Sequence, residues 1–142
     1  YQSRAFMFTA AAVPAAVGAA REALRITRSP EGAELFARVL ANARYLSDGL
    51  TALGFEVIPA TEIDGTAIHT PIVPVMIGDD WRAALMWKAL YDAGLYVNVA
   101  LYPAVRQGAA LLRTSVMATH EREHLDRALE LFDEARASLP AE

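Results

Sequence analysis

Residues 92–120 read DAGLYVNVALYPAVRQGAALLRTSVMATH, and the fold turns on how this stretch divides. Leu95 to Ala100 is a short β-prone run. Tyr102-Pro103 breaks it, because proline has no ladder donor and pushes the residue before it out of the helical region. Arg106-Gln107-Gly108 predicts a turn. Ala110 to Met117 is a second apolar run, and Arg113 is its one charge. The division is therefore strand, loop, strand. A charge inside a buried strand requires a partner, and a guanidinium offers a planar fork suited to a carboxylate or phosphate. Two partners remain open at this point: an Asp or Glu of this chain, or a bound anion.

On either side of this stretch the punctuation is clear. Gly78-Asp79-Asp80 is expected to cap a helix over Trp81 to Ala93, closed by Gly94. Thr119 is the expected cap of the last helix, whose stripe is Leu125, Ala128 or Leu129, Phe132, Ala135 and Leu139. Glu121 and Glu123 fall in its first turn, where the helix dipole favours acids. Upstream, Thr70 to Ile77 is the strongest strand, β-branched and apolar enough to predict burial on both faces. Pro71 and Pro74 argue instead for a sheet edge. Ala60 to His69 is polar and turn-like around Asp64-Gly65, and Phe55 to Pro59 is a brief strand. Ser29-Pro30-Glu31 opens a helix with a capping hydroxyl, a first-turn proline and an acid. Its stripe of Leu35, Val39, Ala43, Leu46, Leu50 and Leu53 runs to Gly54. Pro14 opens an earlier helix, to about Arg28, behind a short aromatic run from Phe6 to Thr9.

The order helix, helix, strand, strand, helix, strand, strand, helix predicts an α+β fold. A small, mostly antiparallel sheet with helices on one face is the natural packing. Residues 29–142 are expected to form this small domain. Residues 1–28 are expected to pack on a further, larger domain.

The 142 residues are 54% hydrophobic and 21% charged, enough to bury a core. A net charge of −4 argues against a nucleic-acid partner, which would call for a basic surface. With no cysteine there is neither a disulfide framework nor thiolate chemistry. A cytoplasmic setting is compatible with that. Residues Ala5 to Ala20 carry no charge, yet the run is shorter than the ~20 apolar residues that a bilayer span needs. No transmembrane segment is expected. That run, and a start at Tyr1 rather than methionine, suggest a piece of a longer protein.

The most conspicuous formal motif is His120-Glu121-Arg122-Glu123-His124. It matches the pattern in which two histidines one helical turn apart hold zinc and the glutamate activates water. Its setting is unfavourable, at a charged helix start with His69 as the chain's only other histidine. The expectation is a solvated helix start and no metal site. Lys88 is the only lysine and sits in mid-helix, so it is expected to be solvated and not a catalytic amine. No glycine-rich phosphate loop appears, and Ser115 lacks the glycines of a nucleophile elbow.

Three segments together resemble the C-terminal part of the α-oxoamine synthases. Phe6-Met7-Phe8-Thr9-Ala10 with Pro14-Ala15 is similar to the family's segment after the cofactor lysine. Residues 84–98, ALMWKALYDAGLYVN, are similar to its small-domain helix and strand. Leu111-Leu112-Arg113-Thr114-Ser115 with Ala118-Thr119-His120 resembles its substrate-arginine strand and the start of its last helix. The Met-Trp and Gly-Leu-Tyr-Val-Asn wording is most similar to bacterial serine palmitoyltransferases. The 8-amino-7-oxononanoate synthases and glycine C-acetyltransferases are near relatives. The resemblance covers essentially the whole chain and about the last third of a typical member.

The resemblance implies the small C-terminal domain of a fold-type-I enzyme that depends on pyridoxal 5'-phosphate. Such enzymes condense an amino acid with an acyl-CoA and lose CO2, usually as homodimers. It implies that Arg113 binds the amino-acid carboxylate and that Thr9 reaches the cofactor phosphate of the neighbouring subunit. The Schiff-base lysine, the aspartate under the pyridine nitrogen and the stacking histidine are implied upstream, so no catalytic residue is expected in this chain. The chain alone is expected to be inactive and not to bind the cofactor. Two positions depart from the pattern. Leu101 stands where the palmitoyltransferase type has a second arginine, and Ala11 where a serine is usual. The alternatives are a non-catalytic interaction domain on the same fold, and zinc hydrolysis through His120, Glu121 and His124.

Overall fold

The computed structural model describes Gln2, residues 13–64 and residues 66–140. Phe6, Phe8 and Thr9 lie outside the described residues. The chain divides into two compact units, Tyr1–Phe36 and Ala37–Glu142.

In the first unit, helix α1 spans Pro14–Thr27 and begins on proline, whose missing N–H would be unsatisfied there in any case. It buries none of its own residues, and Val17 and Leu24 are exposed. Helix α2 spans Pro30–Ala52. As expected, Ser29 caps it: its Oγ accepts the Gly32 N–H at 3.3 Å and donates to the Ile26 carbonyl at 2.7 Å. The turn between α1 and α2 needs glycine at 32, because a Cβ there would lie 2.4 Å from the Ile26 carbonyl oxygen.

The second unit is an antiparallel sheet with helices on one face. Its strands are β1 (Glu56–Val57), β4 (Ile72–Gly78), β5 (Asn98–Ala100) and β6 (Ala110–Ser115), in the order β1-β4-β6-β5. Helices α3 (Asp80–Asp92) and α4 (Arg122–Ser138) complete it, with the C-terminal part of α2. The core is built from Leu46 and Leu50 of α2, Val73 and Val75 of β4, Leu112 of β6, Met86 and Leu90 of α3, and Leu125 and Phe132 of α4. Asp79 caps α3 by accepting the Arg82 N–H at 2.8 Å. Gly94 follows that helix with φ +90°, a conformation glycine adopts without a Cβ penalty. The α+β class and the one-sided helix layer agree with the expectation.

Four details correct the sequence reading. First, Ala60 to His69 is not a plain turn. Strands β2 (Thr61–Ile63) and β3 (Thr66–Ile68) pair antiparallel in a hairpin, with Asp64 in the left-handed region at φ +51°. Second, β4 is central rather than an edge, despite Pro74. Its neighbour β1 has only two residues, and the Pro74 carbonyl accepts from Ile58 on that side. The N–H that Pro74 lacks therefore points beyond the end of β1, where the ladder to β6 does not need it. Third, β4 is not buried on both faces: Val73 and Val75 point into the core while Ile72 is exposed. Fourth, α4 is capped by Glu121, not Thr119.

Candidate functional site

The site grows from the alternation of β6. Ala110, Leu112 and Thr114 are buried, whereas Arg113 and Ser115 are exposed. The expectation of a guanidinium inside a buried strand is therefore corrected. A strand has period two, and β6 has one covered face. Thr114 is the buried polar residue of the strand, and its hydroxyl donates to the Val73 carbonyl at 2.7 Å. Arg113 emerges on the opposite face, between Pro74 of β4 and Asn98 of β5 in the ladder. Among the described residues, Arg113 makes neither an ion pair nor a hydrogen bond. An internal partner such as Glu62 or Asp64 is not found there.

Arg113 lines a cleft of about 440 Å³ at the β5 edge of the sheet. Tyr96, Asn98, Ser115, His120 and His124 share its walls, and Leu46, Val97, Leu125 and Phe132 form an apolar floor. A cleft that is mostly apolar with a few convergent polar groups is the usual form of a small-molecule site. Its C-terminal wall is fixed by α2. The Asn42 side-chain amide donates to the Met117 and His120 carbonyls at 3.0 and 2.9 Å. The Tyr45 hydroxyl donates to the Asp126 carboxylate, and the Arg122 guanidinium lies 3.5 Å from the Tyr45 ring centre. The hydrogen bond to Asp126 raises the Tyr45 pKa, so this brace keeps its proton at neutral pH.

The two histidines of the His-Glu-Arg-Glu-His run both reach this cleft, but not as a helical pair. The helix begins at Arg122, so His120 lies ahead of it. His120 Nδ1 accepts the Met117 N–H at 3.3 Å, and His124 Nδ1 accepts the Glu121 N–H at 3.0 Å. An acceptor Nδ1 places the proton of a neutral imidazole on Nε2. To bind a metal through Nε2, each ring would have to move its proton to Nδ1 and give up its backbone partner. Among the described residues no group of three or more His, Cys, Asp or Glu side chains could hold a metal ion. Metal analysis of protein purified without chelator is accordingly expected to find well under one zinc per chain. Zinc bound at about 2.0–2.1 Å to both histidines would contradict these tautomers.

Lys88 lies on the exposed surface of α3, paired with Asp92 one turn on, and is not among the residues that line the cleft. Leu101 is half-buried in the loop between β5 and β6 and adds no second guanidinium. Sequence reasoning singled out Arg113 but missed Asn98 and Tyr96 as its neighbours. The signal was present: strands 95–100 and 110–117 joined by a loop imply an antiparallel pair, and Asn98 is the one polar residue of the first run after Tyr96.

The chain belongs to the class I and II aminotransferases: the sequence model of that family, Aminotransferase class I and II, matches residues 2–132. Its similarities within the family are specific. The serine palmitoyltransferase of Caulobacter vibrioides (strain NA1000 / CB15N) is 41% identical over 136 residues, covering 96% of this chain and 31% of the relative. The 8-amino-7-oxononanoate synthase of Exiguobacterium sibiricum is 36% identical over 139 residues, covering 98% of this chain and 33% of the relative. Among solved structures, a high-resolution structure of SPT with PLP superposes with a TM-score of 0.83 at 38% identity, covering 96% of this chain and 32% of that one. The Sphingomonas wittichii serine palmitoyltransferase superposes with a TM-score of 0.79 at 34% identity, covering 92% and 31%. These matches bear out the resemblance to the α-oxoamine synthases. The chain spans about a third of the length of these relatives. Among the described residues, no helix is long and apolar enough to cross a membrane.

Proposed function

We propose that residues 29–142 are the carboxylate-reading small domain of a pyridoxal-phosphate-dependent acyltransferase, one that condenses an amino acid with an acyl-CoA and releases CO2. The observation that carries this is Arg113, exposed on a cleft wall with its fork unengaged by any described residue. The fork fits a carboxylate. None of the described residues is assigned to the cofactor itself: Lys88 is paired outside the cleft, and Thr9, assigned by resemblance to the cofactor phosphate of a neighbouring subunit, lies outside them. When bound, the cofactor supplies the electron sink. The contribution of this chain is orientation. A carboxylate gripped by two parallel N–H bonds cannot rotate freely, so the bonds at the amino-acid α-carbon are held in one direction. The apolar floor of Leu46, Val97, Leu125 and Phe132 lies beside that grip. The complete protein is proposed to be a cytoplasmic homodimer, with 1–28 as the segment that meets the larger domain.

Two experiments test this. The complete protein should show cofactor absorbance in the visible range that changes on adding the amino acid. The 142-residue chain alone, mixed with pyridoxal phosphate, amino acid and acyl-CoA, should release no free CoA above background. Sustained turnover by the chain that survives Lys88→Ala would show that the lysine need not come from elsewhere, and would sink the proposal. A complete protein without cofactor absorbance would support the reading as an interaction domain.

A further inference from the structure

The carboxylate grip has a second side to it, on the neighbouring strand. Asn98 of β5 is the direct ladder partner of Arg113 on β6. Directly opposed residues project on the same face of a sheet, with Cβ atoms roughly 4.5–5.5 Å apart. Both side chains are exposed, and both line the cleft. The other ladder neighbour of Arg113 is Pro74, which offers no side-chain polar group. The environment of the guanidinium is thus asymmetric, an amide on one flank and a pyrrolidine ring on the other. Among the described residues, the Asn98 side chain makes no hydrogen bond either.

A carboxylate has about four acceptor sites on its two oxygens, and a guanidinium fork uses two of them. The remaining acceptor sites are open to a further donor on the cleft wall. The nearest side chain able to donate from the adjacent strand is the Asn98 amide. We propose that Asn98 is the second ligand of the carboxylate, its amide N–H donating to the oxygen edge that Arg113 leaves open, and that the two residues act as one unit. This rests on the reading of Arg113 as a carboxylate site. It adds a residue that confines the site to ligands with a free carboxylate beside the fork. Asn98 sits in a three-residue edge strand and is not part of the core, so its replacement should leave the fold intact.

The test is calorimetric binding of L-serine, L-alanine and glycine, and of their carboxamides, to the complete protein and to its variants. Asn98→Ala is expected to weaken the amino acid it binds best by about tenfold, the scale of a hydrogen bond to a charged group. It should leave the corresponding carboxamide within twofold. Asn98→Asp is expected to weaken the amino acid further, because like charges then face each other. In the Arg113→Ala background, Asn98→Ala is expected to add less than twofold. Equal weakening of amino acid and carboxamide by Asn98→Ala, or full additivity with Arg113→Ala, would overturn the assignment of Asn98 alone. Amino-acid binding that is unaffected by Arg113→Ala, or absent from the unsubstituted protein, would overturn the carboxylate site itself.

Discussion

Phe132→Ala is expected to lower the stability of the chain by about 3–5 kcal/mol, the range for truncating a buried aromatic side chain. Phe132 is wholly buried on α4 and meets the Phe55 ring edge-on at 5.6 Å. It also forms part of the floor of the cleft. The truncation therefore leaves a cavity in the core and deepens the site at once. Small domains are stable by only about 5–15 kcal/mol, so the variant should unfold at a much lower denaturant midpoint with little change in slope. Phe36→Ala, at a residue that is 52% exposed, is the control and should cost well under 1 kcal/mol. Chemical denaturation of the two variants checks this. A loss under 1 kcal/mol at Phe132 would mean that α4 does not pack on the sheet as described.

The helix boundaries were legible because they rest on local chemistry. Ser29-Pro30, Asp79, Gly54 and Gly94 each supply what a helix end lacks, a donor's partner or a left-handed residue, and each does so in the structure. The hairpin at 61–68 was not legible, because strands of three residues are too short for alternation to register, and only the Asp64-Gly65 turn showed. The last helix start was misplaced for a similar reason. Thr119 was the expected cap by residue type, but the helix starts at Arg122 behind Glu121, and the Met117 and His120 carbonyls of the preceding loop are held by Asn42, a residue far off in sequence.

The run from Ala110 to Met117 is so apolar that it reads as buried throughout, yet Arg113 and Ser115 are two apart and share the open face. Period two was present in the polar residues and hidden in the apolar ones, since Leu111 on the open face looks like core. Locating the charge on the open face also changes what its removal should do. A buried guanidinium would be structural, whereas an exposed one without a described partner costs little to delete.

Arg113→Ala in the complete protein is thus expected to leave stability within about 0.5 kcal/mol, as for a surface substitution. Loss of the charged grip should weaken the amino acid by roughly 1.5–3 kcal/mol, or more than tenfold. Arg113→Lys should restore part of this, because an ammonium supplies charge but not the paired donors. In the proposed function this arginine reads a substrate carboxylate. Its most direct test is amino-acid affinity measured beside thermal unfolding for Arg113→Ala and Arg113→Lys. Affinity is expected to fall in the order unsubstituted, lysine, alanine, with the melting temperature unmoved. A lowered melting temperature with unchanged affinity would contradict it and make Arg113 a structural residue.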